Sequence, residues 1–195
     1  MSKDRKVVWN EGMLLTPHHF QQSDNYHEEL LNSRMRSALS YEYGVLDLQI
    51  NREAIANGNF QVTSCYAVLT DGLLINFPDA DAVPDLRPVG KHFAPEQEKL
   101  GVHLAVPARK YGMANFQANG GKADINLRFL QDGAQVRDET SGTNEQPLSF
   151  ARPNLRIIFD DELRDGQRCV DGVAVPRVCR RRLLHSPSRH DRVVA

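Results

Sequence analysis

"GNFQVTSCYAVLTDGLLINFP", residues 58–78, decides the fold class. Phe60, Val62, Tyr66 and Val68 alternate with Gln61, Thr63, Cys65 and Ala67, the two-residue period of a half-buried strand. Thr70-Asp71-Gly72 then supplies the Asp-Gly of a tight hairpin, because glycine accepts a positive φ at little cost, and Leu73 to Phe77 returns as the partner strand. Further along, Val102, Leu104 and Val106 alternate with Gly101, His103 and Ala105. Ile125, Leu127 and Phe129 begin another strand, predicted to turn at Asp132-Gly133, and Leu155, Ile157 and Phe159 make one more. With Val45 to Ile50 added, the pattern predicts a mainly β protein, an antiparallel sandwich or barrel-like domain of short strands. Three stretches carry loop composition: Pro78 to Pro95, Ala114 to Ala123 and Asp138 to Pro147.

Upstream of these strands the period changes. Thr16 is placed to cap a helix, its hydroxyl accepting from an early backbone NH, and Pro17 suits the first helical position. No Gly or Pro interrupts the chain from there to Leu39. Phe20, Leu30, Leu31, Met35, Ala38 and Leu39 fall at spacings drawn from three, four and seven, the mark of an amphipathic helix.

Composition narrows the class. The chain has 195 residues, 25% of them charged and 41% hydrophobic, which is ordinary globular usage sufficient for one good-sized core. No apolar run approaches the roughly 18 residues of a bilayer span, and MSKDRK leads into no signal-type apolar stretch, so a cytoplasmic location is expected. Cys65, Cys169 and Cys179 are too few for a disulfide scaffold and form no CxxC pair. The net charge of -1 hides an asymmetry: residues 167–195 hold seven Arg, no Lys and only two acids, leaving 17 basic and 23 acidic residues before them.

Candidate chemistry does not converge in the sequence. His18, His19 and His27 offer no ligand pair at helical spacing: His18 meets Gln22 and His19 meets Ser23. Cys65 sits in a strand pattern with no His near it in sequence, as a packed thiol does. The glycines at 58, 72, 112, 120, 121 and 133 fall at predicted turns, and no GxGxxG or Walker A spacing exists. Adjacent carboxylates such as Asp160-Asp161 point to opposite faces of a strand. The Arg-rich end has no aromatic residue for base stacking, so no nucleic-acid partner is expected. No enzymatic activity, cofactor or metal is expected. What remains is the opening segment, where Val7, Val8, Trp9, Met13, Leu14, Leu15 and Phe20 crowd around the helix start. Trp and Met are enriched at protein contacts, because they bury much area with few or adaptable torsions. Composition alone leaves open whether they dock a partner or seal one end of the β-domain.

The residues "WNEGMLLTPHHFQQSD" (9–24), "YGVLDLQI" (43–50), "GNFQVTSCYAVLTDGLLINFP" and "PNLRIIFDDELRDG" (153–166) closely resemble the amino-terminal part of the TssK family, also called ImpJ or VasE. Trp9, Glu11, Gly12, Met13, Leu15, Pro17, His19, Phe20 and Gln21 match the family's opening pattern. The resemblance implies a structural adaptor of the type VI secretion baseplate. It implies a β-sandwich shoulder like that of siphophage receptor-binding proteins, docked through these nine positions on the wedge subunits TssF and TssG. A helical middle follows in the family, then a head reaching the membrane complex of TssJ, TssL and TssM. The family is trimeric, but the trimer is doubtful here because much of its contact is expected from the absent helices. The alternative is a phage-type tail or receptor-binding module.

The resemblance covers about Val7 to Gly166. The expected organisation is an anchor segment (1–16), a helix-plus-sandwich shoulder (17–166) and a tail (167–195). One possible codon choice for Leu184-His185-Ser186-Pro187, read one base on, encodes a Phe-Ile-Pro like that of the family. The tail is therefore expected to be out of frame, poorly ordered and without designed contacts.

Overall fold

The computed structural model describes residues 4–92, 99–118, 121 and 124–162, and the backbone of 167–176. Helix α1 (Pro17–Ala38) leads into strand β1 (Gly44–Ile50), a short helix α2 (Arg52–Ala56), and strands β2 (Asn59–Phe60), β3 (Val62–Val68), β4 (Leu74–Phe77), β5 (Arg87–Pro88) and β6 (Lys99–Pro107). Strands β7 (Phe129–Val136), β8 (Gln146–Pro153) and β9 (Arg156–Phe159), a 3-10 turn (Asp160–Glu162) and β10 (Gln167–Pro176) complete it.

Every pairing between named strands is antiparallel. One sheet has the order β1-β3-β4 and a second β10-β6-β9, with small two-stranded pairs β2-β5 and β7-β8. The inner faces of the two three-stranded sheets meet in one core. Val62, Cys65, Ala67, Ile75 and Phe77 come from the first, Leu100, Val102, Leu104, Val106, Ile157 and Phe159 from the second, and Phe60, Leu69 and Val89 close the edges. The expected antiparallel β body with an amino-terminal helix is therefore present, and Val102, Leu104 and Val106 point inward as their alternation requires.

Four local expectations need correction. Cys65 and Ala67 face the core while Tyr66 faces out, the reverse of the simple alternation. The cause is a bulge: Ile50 pairs with Val62 but Gln49 pairs with Ser64, so Thr63 is an extra residue and the facing flips beyond it. Asp132-Gly133 is no turn; Gly133 lies mid-strand opposite Ser149, and the chain reverses instead around Asp138–Thr143, where Asp138 NH donates to Thr143 O at 3.0 Å. Asp160 and Asp161 are not strand neighbours but lie in a 3-10 turn, where both face His partners. Gln167–Pro176 pairs with β6 from Pro107 to Lys99, so this part of the tail does make a contact, because β6 offers it a free strand edge. The remaining tail, 177–195, lies outside the described residues.

The Asp-Gly hairpin forms as expected. Gly72 takes φ +88°, and its NH donates to Leu69 O at 2.9 Å.

Candidate protein-docking surface

Two hooks tie the amino-terminal region to the β body. Asp4, with its side chain 4% exposed, accepts from both terminal nitrogens of Arg109 at 3.3 Å and from the Tyr111 hydroxyl at 3.3 Å. Asn32 in the second half of α1 donates to Asp71 O at 3.2 Å, and the Asp71 carboxylate is held by Arg128 at 2.8 Å. Arg128 is itself buried and donates to Pro107 O at 3.0 Å; burial pulls its guanidinium below the ordinary value while Asp71 opposes the shift. Gln22 donates to Arg5 O at 3.2 Å, closing the loop between strap and helix.

The hooks are polar, and α1 has no buried residue along its whole length. Its apolar stripe, which includes Leu31 and Met35, stays exposed. An amphipathic helix is ordinarily stabilised by burying such a stripe, so the stripe here is a surface without a cover among the described residues.

At the helix start the matched positions take defined roles. Asn10 to Met13 forms a turn, with Met13 NH donating to Asn10 O at 3.4 Å and Gly12 at φ +76°, the sign a turn of this kind requires at its third residue. Thr16 is extended and precedes Pro17 at the first helical position. The Thr16 NH donates to His19 Nδ1 at 3.2 Å, which places the ring's proton on Nε2, and the Thr16 hydroxyl lies 3.0 Å from the same nitrogen. His19 thus fills the place a Glu or Gln holds in an ordinary capping box. Its ring also brings Trp9 in, with centroids 6.1 Å apart, and Phe20 sits 6.4 Å from Trp9 on the other side.

The cluster is organised and still open. Trp9 is 51% exposed, Phe20 54% and Leu14 83%, and Leu15 is exposed beside them. Glu11 and Gln21 are exposed, and their side chains make no hydrogen bond or ion pair among the described residues. The cluster of Trp9, Leu14, Leu15 and Phe20 is thus left at least half open to solvent among the described residues. The hooks at Asp4, Arg109, Arg128 and Asp71 had no signal in the sequence, since each partner lies tens of residues from the other.

Among the described residues one cluster has metal-ligand composition. His92, Asp161 and Glu162 place ligand atoms within 4.8 Å of one another. Ion pairing accounts for it. Glu162 gives both oxygens to Arg87 at 2.6 and 2.9 Å and also accepts from Phe159 NH, and His92 Nδ1 meets Asp161 at 2.9 Å. Asp160 completes the turn, 2.7 Å from His103 and accepting from Gly101 NH at 2.8 Å. No helix of the described residues is long and apolar enough to cross a membrane.

A model of the family described as "Bacterial Type VI secretion, VC_A0110, EvfL, ImpJ, VasE" matches residues 19–186, so the matched span continues past Gly166. The type VI secretion system baseplate component TssK1 of Pseudomonas aeruginosa is 31% identical over 184 residues, which are 93% of this chain and 39% of that protein. The chain therefore spans well under half the length of this relative. A crystal structure of TssK superposes with a TM-score of 0.77 at 25% identity, over 89% of this chain and 39% of that one. A chain in the cryo-electron microscopy structure of the type VI secretion system TssK-TssF-TssG baseplate subcomplex superposes with a TM-score of 0.78 at 20% identity, over 90% and 57%.

Proposed function

This chain belongs to the bacterial type VI secretion family of ImpJ and VasE, and from that premise we propose that it is the wedge-docking shoulder of a baseplate adaptor, working in the cytoplasm by binding rather than catalysis. The observation that carries the reading is the open apolar cluster of Trp9, Leu14, Leu15 and Phe20, fixed by the His19 cap and the Asp4 hook yet covered by nothing among the described residues. Rigid aromatic groups held in place before binding lose little entropy on docking, which is how a few residues come to dominate an interface. The related TssK protein was solved with TssF and TssG. These wedge proteins are accordingly the partners assigned here, with the face around α1 as the contact.

The test is co-purification of this chain with TssF and TssG from its own operon. The intact chain is expected to be retained, and Trp9→Ala combined with Phe20→Ala to lose at least roughly tenfold in retention, since central aromatic contacts carry about 2 kcal/mol or more each. Tyr41→Ala, an exposed aromatic beyond the end of α1, serves as the control. Undiminished retention of the double variant would reject the assigned face.

A further inference from the structure

Helix α1 lies on the β body the wrong way round for an amphipathic helix. From Gln22 onward its partly covered residues are Gln22, Ser23, Asn25, Tyr26, Glu29 and Asn32, which share one side of the helix. That side is polar apart from the Tyr26 ring, and it turns toward the body. Asn32 donates to Asp71 O, Glu29 lies within electrostatic reach of Tyr111, and Glu28, at the edge of the same side, within reach of Arg128. The opposite side carries Phe20, Leu31 and Met35, all exposed. Burial of the apolar stripe is what ordinarily holds a helix to its domain, and α1 has no buried residue to supply it.

The strap before the helix belongs to the same unit. Gln22 donates to Arg5 O, and Trp9 packs against His19 and Phe20, so strap, aromatic cluster and helix start are joined to one another. Two polar latches, far apart along this unit, tie it to the body: the Asp4 carboxylate on Arg109 and Tyr111, and the Asn32 amide on Asp71 O. After α1 the chain is extended at Leu39 and enters β1 at Gly44, whose φ of +141° glycine alone adopts readily, so a joint lies at the foot of the unit. We propose that residues 4–39 form an arm that lifts off the closed β body as a unit, with Asp4 and Asn32 as its latches. A polar latch exchanges its partner for water at small net cost, whereas opening the body exposes Phe77, Phe159 and the rest of the core. The arm therefore opens far more often than the body does. The contacts of the aromatic cluster lie within the arm, so lifting frees the cluster and the apolar stripe to move together while the core stays closed. Free of the body, α1 keeps only its intrinsic helicity, and its amide protons exchange with solvent.

Hydrogen-deuterium exchange of the full chain, read by mass spectrometry, tests this. Peptides from α1 are expected to exchange at least roughly a hundredfold faster than those from β3 and β6, yet slower than an unfolded chain. Asp4→Asn, outside the helix, and Asn32→Ala are each expected to speed α1 exchange roughly tenfold while β3 and β6 keep their rates. The sign for Asn32→Ala is decisive. Alanine is the better helix former, so a helix that merely frays in place would exchange more slowly in this variant, and a helix that has lost a latch exchanges faster. Protection of α1 equal to that of β3 and β6, no protection of α1 at all, slower α1 exchange in Asn32→Ala, or acceleration of the whole chain by either variant would overturn the proposal. No partner enters the experiment, so its failure is distinct from a failure of wedge docking.

Discussion

Cys65 shows how one residue's neighbours set its chemistry. It is 1% exposed, and burial, with Asp47 adding to it, pushes the thiol up to about 11, so it stays protonated near neutral pH and packs as a small apolar group. The type of residue was legible from its strand context. Its inward orientation was not, because a single extra residue at Thr63 reverses the facing and a bulge leaves no mark in a run of Thr, Ser and Cys. Gly72 makes a similar point about approach. At φ +88° a Cβ costs about 1 kcal/mol of backbone strain, and here it would also collide with the Asn32 side chain that hooks α1 to Asp71 O. Gly58, at φ +77°, has open space around it. Urea unfolding should therefore show Gly72→Ala losing more stability than Gly58→Ala. Equal losses would mean that the helix hook contributes nothing. The sequence marked Gly72 as a turn glycine, but the helix lying against the turn was invisible there.

At the scale of elements, the 3-10 turn after β9 carries three successive acids, each with its own basic partner: Asp161 and Glu162 fasten the second sheet to the β5 region through His92 and Arg87, and Asp160 holds His103 of β6 within that sheet. The hydrogen bond from His103 holds the Asp160 carboxyl below its usual range, and that from Arg87 does the same for Glu162. The sign follows from linkage. A carboxyl with a depressed folded pKa contributes stability above the ordinary carboxylate range near 4 and loses it as pH falls through the lower folded value. The urea midpoint is expected to drop as the pH falls below the ordinary carboxylate range near 4, and Asp160→Asn with Glu162→Gln to shallow that drop while lowering the midpoint at pH 7. An acid limb of unchanged steepness in the variant would contradict the assignment. These pairings were not legible in the sequence because the partners Arg87, His92 and His103 are 57 to 75 residues away in the chain. Helix α1 is the opposite case. Its ends were legible from Thr16, Pro17 and the uninterrupted run to Leu39, while its attachment by polar hooks rather than by its apolar stripe was not, since a stripe's period reports a face and not what the face meets.

For the whole molecule, the division of labour is between one closed core and open apolar surfaces. Phe77 and Phe159 come from different sheets and fill the same core, so Phe77→Ala should cost about 3–5 kcal/mol and unfold both sheets in one transition. Trp9→Ala and Phe20→Ala should each cost less than Phe77→Ala, because the exposed half of each ring is already in water. Urea unfolding followed by fluorescence and circular dichroism checks both, and a large loss on the surface pair would return that cluster to a core role. The sequence by itself determined strands β1, β3, β4, β6 and β9, the helix and its start, the hairpin at Asp71-Gly72 and the family, because these rest on local periods, turn residues and a long irregular motif read along the chain. Only the tertiary structure decided which way Cys65 faces, that Gln167–Pro176 completes the second sheet, that remote ion pairs fasten the turn at Asp160–Glu162, and that the apolar side of α1 remains open. Each of these depends on which distant segments are brought together, and free energy gained between residues far apart in sequence leaves no local pattern to read.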